Sequence, residues 1–194
     1  SKKHTTFLFQ THDVISNYKY FKDLKLDCKI IELVRNPIDV SYSWYKRGWG
    51  KRFLKDKQSF SSLIEKKKIC APWYSYSQTE LWSSLNSIEK CVYNVLSLCK
   101  LSFPHYVKLK KNNKKVLIIK FENFVQKPKK EIFKIQSFLK KNYSKKIFLK
   151  LKKAKCPRKL NIDDYEMKKN FLKKNINKDL YKKLIYFGKK YNEI

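Results

Sequence analysis

Glycine is nearly absent from this chain: 3 residues in 194, and none before Gly48. Backbones that cradle phosphates use glycine for close approach, and no G-x-x-x-x-G-K-[ST] loop occurs here. Arginine is almost as scarce, with only Arg35, Arg47, Arg52 and Arg158 among 47 basic residues. A surface built to grip phosphate is expected to keep more arginine forks. Acidic residues number only 16, which leaves a formal net charge of +31. The cysteines Cys28, Cys70, Cys91, Cys99 and Cys156 are odd in number, widely spaced, and form no C-x-x-C. That excludes a disulfide framework and the close ligand pairs of structural zinc, so no metal is expected. Free thiols point to a reducing compartment, and a cytoplasmic location is expected. No apolar run approaches the roughly 20 residues that span a bilayer, and no internal repeat or signal-peptide pattern occurs. The chain starts at Ser1 without methionine, so it is expected to begin partway through a longer protein.

What is present argues for a packed core. Hydrophobic residues make up 42% and aromatics 15%, a composition that disordered chains do not have. A length of 194 residues predicts a single domain spanning 1–194. The charge favours anionic partners and salt-sensitive binding to any polyanion. One reading is therefore a basic, nonenzymatic nucleic-acid-binding protein, with lysines interleaved among tyrosines and phenylalanines. Against it, no RNA-binding aromatic signature or zinc finger occurs, and the lysine excess looks like compositional drift.

The pattern along the chain alternates strands and helices. Phe7 to Gln10 reads as a buried strand end, and Cys28 to Val34 as a stronger buried strand closed by Arg35-Asn36-Pro37. Asn36 suits an N-cap and Pro37 the first helical position, so a helix follows through Val40 and Trp44 until Gly48 and Gly50. Phe60 to Lys68 fits a short helix broken by Ala71-Pro72. Thr79 to Leu101 reads as one long amphipathic helix, with Cys91 and Cys99 beside its apolar stripe. Lys115 to Phe121 is a further buried strand, after a basic turn at Lys110 to Lys114. Pro128 opens a helix through Leu139, and the Lys-rich remainder over 143–194 is helical with a break at Cys156-Pro157. The sum is an α/β domain with a largely parallel sheet, of which only three strands are visible.

The stretch that carries chemistry is RNPIDVSYS, Arg35 to Ser43, directly after a buried strand. Strand C-termini and helix N-termini are where such units meet anions. Arg35 brings a planar fork suited to phosphate, and Ser43 lies eight residues on, about two turns into the helix. The plainer alternative is that Arg35 pairs with Asp39 and Ser43 is merely tolerated in the helix.

KIIELVRNPIDVSYSWY resembles the 3′-phosphate-binding segment of sulfotransferases that use 3′-phosphoadenosine 5′-phosphosulfate. In that family an apolar strand is followed by Arg-[Asn/Asp]-Pro-x-Asp and a serine eight residues after the arginine. The resemblance makes Arg35 and Ser43 ligands of the nucleotide's 3′-phosphate, with Asn36, Pro37 and Asp39 in supporting positions. FQTHD, Phe9 to Asp13, is similar to the family's Lys-Thr-His segment, and His12 precedes Arg35 by 23 positions. His12 then corresponds to the base that takes the acceptor's proton, a task suited to a near-neutral imidazole. VLIIKFENFVQKPKKEIFKIQSFL resembles the family's strand, Tyr-Glu-Asp-Leu turn and Pro-started helix, and PWYSYSQTELW its aromatic segment. The similarity is clearest over 7–139.

The resemblance implies a P-loop-NTPase-like three-layer fold, with a mostly parallel central sheet flanked by helices. It implies transfer of a sulfonate group from the nucleotide co-substrate to an acceptor hydroxyl or amine without a metal. The departures are equally specific. The first strand and the 5′-phosphosulfate loop are missing, so a partial domain, inactive as this fragment alone, is expected. Gln10 stands where a lysine commonly precedes Thr-His, and Phe121 where a tyrosine often contacts adenine. Of the family's C-terminal Arg-Lys-Gly segment, only Arg158-Lys159 offers a counterpart. A P-loop-type phosphotransferase and a degenerate, non-transferring family member are the remaining alternatives.

Overall fold

The computed structural model describes residues 8–10, 14–23, 28–51, 62–110, 114–144 and 146–194. After a 3₁₀ turn at Ile15–Asn17 come α1 (Tyr18–Asp23), β1 (Ile30–Val34) and α2 (Pro37–Lys46). A hairpin of β2 (Leu63–Lys66) and β3 (Ile69–Pro72) runs through a 3₁₀ segment into α3 (Thr79–Ser84) and α4 (Ser87–Lys110). Then follow β4 (Val116–Lys120), α5 (Phe121–Gln126), α6 (Pro128–Leu139), α7 (Lys146–Lys153), α8 (Ile162–Asn175) and α9 (Lys178–Glu193). The fold is mixed α/β and mostly helical, and its central element is the parallel pair β1–β4.

That pair fixes the position of everything near it. Its register aligns Ile30 with Val116 and Val34 with Lys120, so both strands end at the same level. α2 and α9 pack with α4 into one core, with Val34, Ile38, Val92, Val95, Val116, Leu172, Leu184 and Phe187 buried in it. Gly50 passes so close to α4 that a Cβ there would lie 1.8 Å from the Ser87 carbonyl oxygen, so only glycine fits.

Several sequence expectations change. The long helix over Thr79 to Leu101 is two helices. Leu85 is extended, and Asn86 restarts the chain as a cap whose Oδ1 accepts the N–H groups of Ile88 at 3.1 Å and Glu89 at 3.0 Å. The Glu89 carboxylate accepts the Asn86 N–H at 3.3 Å in return, a reciprocal capping box that outweighs the continuous apolar stripe. The second helix also runs past Leu101 to Lys110, carrying Pro104 inside it. The helix expected within Phe60 to Lys68 is instead strand β2, turned back by Lys67 and Lys68, both with positive φ (51° and 64°). Both central residues of such a two-residue hairpin turn are left-handed, a geometry that no glycine advertises here.

Leu8 to Gln10 form no strand, and Leu8 and Phe9 are exposed, because no strand among the described residues pairs with them. β1 is buried on one face only. Ile30, Glu32 and Val34 face the core while Ile31 and Leu33 are exposed, so its unbroken apolar run does not mean burial on both sides. Glu32 is tolerated on the inner face because the Tyr106 hydroxyl donates to it at 2.9 Å.

Cys91 and Cys99 lie in the core, as their places beside the apolar stripe predict, while Cys28, Cys70 and Cys156 are half-exposed. Burial pushes both inner thiols up to about 12, which keeps them protonated at ordinary pH. In the native chain at pH 8, iodoacetamide is therefore expected to label Cys28, Cys70 and Cys156 and spare Cys91 and Cys99. Mass spectrometry before and after denaturation reads this out, and rapid native labelling of Cys99 contradicts the helix packing described.

Candidate functional site

The turn between β1 and α2 forms as its residue types dictate. Asn36 caps α2, its Oδ1 accepting the Ile38 N–H at 2.9 Å, and Pro37 occupies the first turn where no N–H is needed. Parallel register then supplies what the local sequence does not show. Because Val34 is level with Lys120, the next residues meet as well: Arg35 beside Phe121, and Asn36 beside Glu122. The Arg35 guanidinium lies 4.8 Å from the centre of the Phe121 ring, within cation–π reach. The Asn36 N–H donates to Glu122 Oε1 at 3.1 Å.

The C-terminal helices close around this turn. The Tyr191 hydroxyl of α9 donates to Glu122 Oε2, so one carboxylate joins the turn to the last helix. Burial, then the bond to Glu122, push the Tyr191 phenol well above its ordinary value, so it remains a donor at any physiological pH. Lys120 stacks over the Tyr191 ring at 4.9 Å and donates to the Asn192 carbonyl at 3.2 Å. From α8, Tyr165 sits against the Asn36 side chain, and Lys168 donates to Asp39 Oδ1 at 2.7 Å. Arg158, in the segment before α8, donates its backbone N–H to Val125 at 2.9 Å and brings its guanidinium 5.8 Å from the same Phe121 ring.

The expected pairing of Arg35 with Asp39 is therefore weak. The Nη2 to Oδ1 distance is 3.9 Å, too long for a hydrogen bond, and Lys168 is the closer partner. Arg35 Nε is buried and has no hydrogen-bond partner among the described residues. Ser43 lies half-buried on α2, one turn beyond Asp39 on the same helix face. His12 lies outside the described residues, as does most of the FQTHD segment. Phe121, Glu122, Lys168 and Tyr191 enter the site only through tertiary placement. Phe121 and Glu122 sit in a recognisable segment, whereas Lys168 and Tyr191 have nothing in a Lys-rich tail to single them out.

Two guanidinium groups thus approach one aromatic ring beside a capped helix N-terminus, residue types whose chemistry suits an anion. A cleft of about 270 Å³ lined by Leu81, Leu85, Tyr93, Leu96 and Lys183 lies elsewhere and shares no residue with this turn. Among the described residues no group of His, Cys, Asp and Glu is placed to hold a metal ion, and no helix is long and apolar enough to cross a membrane.

The parallel pair β1–β4 with its strand–turn–helix is an α/β arrangement consistent with a P-loop-like fold. The family model for the sulfotransferase domain matches residues 2–186, and the chain belongs to that family. The match covers nearly the whole chain and includes the C-terminal helices as well as the region where the resemblance is clearest. Comparison with curated proteins and with solved structures gave no significant match.

Tyr191→Phe removes one of the two donors on a part-buried carboxylate while keeping the ring. Hydrogen bonds to charged groups contribute about 1.5–3 kcal/mol, so a loss of about 2 kcal/mol in unfolding free energy is expected. Urea unfolding of the two proteins measures it, and an unchanged midpoint contradicts the tie between α9 and the turn.

Proposed function

We propose that this sulfotransferase-family chain binds 3′-phosphoadenosine 5′-phosphosulfate at the β1–α2 turn and serves sulfonate transfer to an acceptor hydroxyl or amine. The observation that carries the reading is the pair of guanidinium groups, Arg35 and Arg158, 4.8 Å and 5.8 Å from the centre of the Phe121 ring, with Arg35 Nε buried and without a hydrogen-bond partner among the described residues. A nucleotide bearing a 3′-phosphate offers what these groups lack: a planar ring for Phe121 and a dianion for two forks. Ser43, nearly two turns inside α2, supplies a hydroxyl donor to the same phosphate. Arg158 fills the role of the family's C-terminal arginine, and its shared contact with Phe121 supports that assignment over coincidence in a basic tail.

The nucleotide supplies an activated sulfonate whose sulfur–oxygen bond to the 5′-phosphate breaks as the bond to the acceptor forms. The chain's own part is to fix the 3′-phosphate end, which orients the other end of the nucleotide. His12 takes the acceptor's proton as its oxygen or nitrogen becomes acidic in the transition state. The 194 residues contain no glycine-rich loop for the 5′-phosphosulfate, the place where preorganised donors contribute most to such a transfer. This chain alone accordingly binds nucleotide without appreciable turnover.

Calorimetric titration with adenosine 3′,5′-bisphosphate and with 5′-AMP at physiological salt tests the site. The bisphosphate is expected to bind more tightly, and Arg35→Ala to weaken it about tenfold or more while barely changing 5′-AMP. Equal binding of both nucleotides removes Arg35 and Ser43 as ligands, and salt-sensitive binding indifferent to the 3′-phosphate favours a general polyanion surface. In a version of the chain supplied with a 5′-phosphosulfate loop, His12→Ala is expected to abolish turnover with nucleotide affinity retained. Parallel loss of affinity would make His12 structural.

A further inference from the structure

Asp39 has two cationic neighbours, and they are not equivalent. Its Oδ1 lies 2.7 Å from Lys168 Nζ and 3.9 Å from Arg35 Nη2. The first is a charge-assisted hydrogen bond and the second is beyond hydrogen-bond reach. Arg35 lies just before the Asn36 cap and Asp39 in the first turn of α2, near enough for the fork to reach the carboxylate. Lys168 occupies the place such a pair would take. It arrives from α8, 129 positions later in the chain, and its side chain is only 15% exposed. It also holds Asp164 of its own helix. Burial works against its ammonium, but the bonds to Asp164 and Asp39 prevail and hold its charge above the ordinary range. Arg35, without a hydrogen bond to that carboxylate, has its guanidinium 4.8 Å from the centre of the Phe121 ring.

We propose that Lys168 is a positioning residue that occupies Asp39 and thereby keeps the Arg35 fork free for the nucleotide's 3′-phosphate. This rests on the nucleotide reading above. Without the lysine, Asp39 is a carboxylate 13% exposed whose nearest cation is Arg35. The fork then closes on Asp39, and a phosphate must displace it. The effect falls on one end of the ligand: a nucleotide lacking the 3′-phosphate makes no demand on the fork. Selectivity, rather than affinity in general, is the quantity Lys168 controls.

The experiment compares adenosine 3′,5′-bisphosphate with 5′-AMP by calorimetry on the unaltered chain and on K168M, K168R and K168M/D39N. K168M is expected to cut the preference for the 3′-phosphate roughly tenfold, and K168R to keep it. K168M/D39N is expected to regain most of the preference, because no carboxylate remains to capture Arg35. Simple loosening of α8 weakens both nucleotides alike and is not repaired by the second substitution. An unchanged preference in K168M overturns the proposal. So does a double variant as poor as K168M, which makes Lys168 a direct phosphate ligand or a structural residue. Lys168→Ala, which likewise leaves Asp39 without its donor, gives the same comparison if K168M does not fold. Absence of any preference in the unaltered chain instead defeats the nucleotide reading itself, before any Lys168 variant is compared.

Discussion

Parallel pairing of β1 with β4 places residues 86 positions apart at one level, and the rest of the site follows from that alignment. In a parallel pair both strands end on the same edge, so the groups just past each C-terminus meet. Val34 level with Lys120 puts a guanidinium on an aromatic ring and a capped backbone N–H on a carboxylate. A slip of one residue would turn Val34 and Val116 out of the core and part both contacts together. Register is held by burial, because the inward faces of both strands pack on α2 and α4 while the outward face of β1 is open.

Charge is used unevenly. In a chain where lysine outnumbers arginine more than tenfold, two of four arginines share the Phe121 ring. Lysine cannot substitute there, since a compact ammonium neither lies flat on a ring nor presents two parallel donors. Lysine does another job at the same turn: Lys168 neutralises Asp39 and Lys120 ties the end of α9 to the end of β4.

Much of the local architecture was legible in the residues. Asn36-Pro37 announced a capped helix, VLIIK a strand, and Pro128 a helix start, because each is decided within a few residues by backbone chemistry. Arg35 and Ser43 were legible as candidates for the same reason. Where a short signal competed with a longer one, the longer one misled. The stripe from Thr79 onward concealed the Asn86–Glu89 capping box, and the helix read over Phe60 to Lys68 concealed a tight hairpin. Lys168 and Tyr191 were illegible in principle, since their significance comes from helix docking. Arg158 stood between: a weak motif became meaningful once the chain returned it to Phe121.

The carboxylate of Glu122 has a consequence for the order in which the molecule is made. One oxygen binds the backbone at Asn36 and the other the phenol at Tyr191, spanning separations of 86 and 69 residues. Contacts so distant in the chain form late, because each must first overcome the entropy of closing a long loop. During synthesis the β1–α2 turn therefore emerges, caps its helix and waits. The contacts that hold it are completed only after α9 has left the ribosome and docked. Lys168 likewise reaches Asp39 only when α8 docks, across 129 residues, so this side of the turn is also completed late.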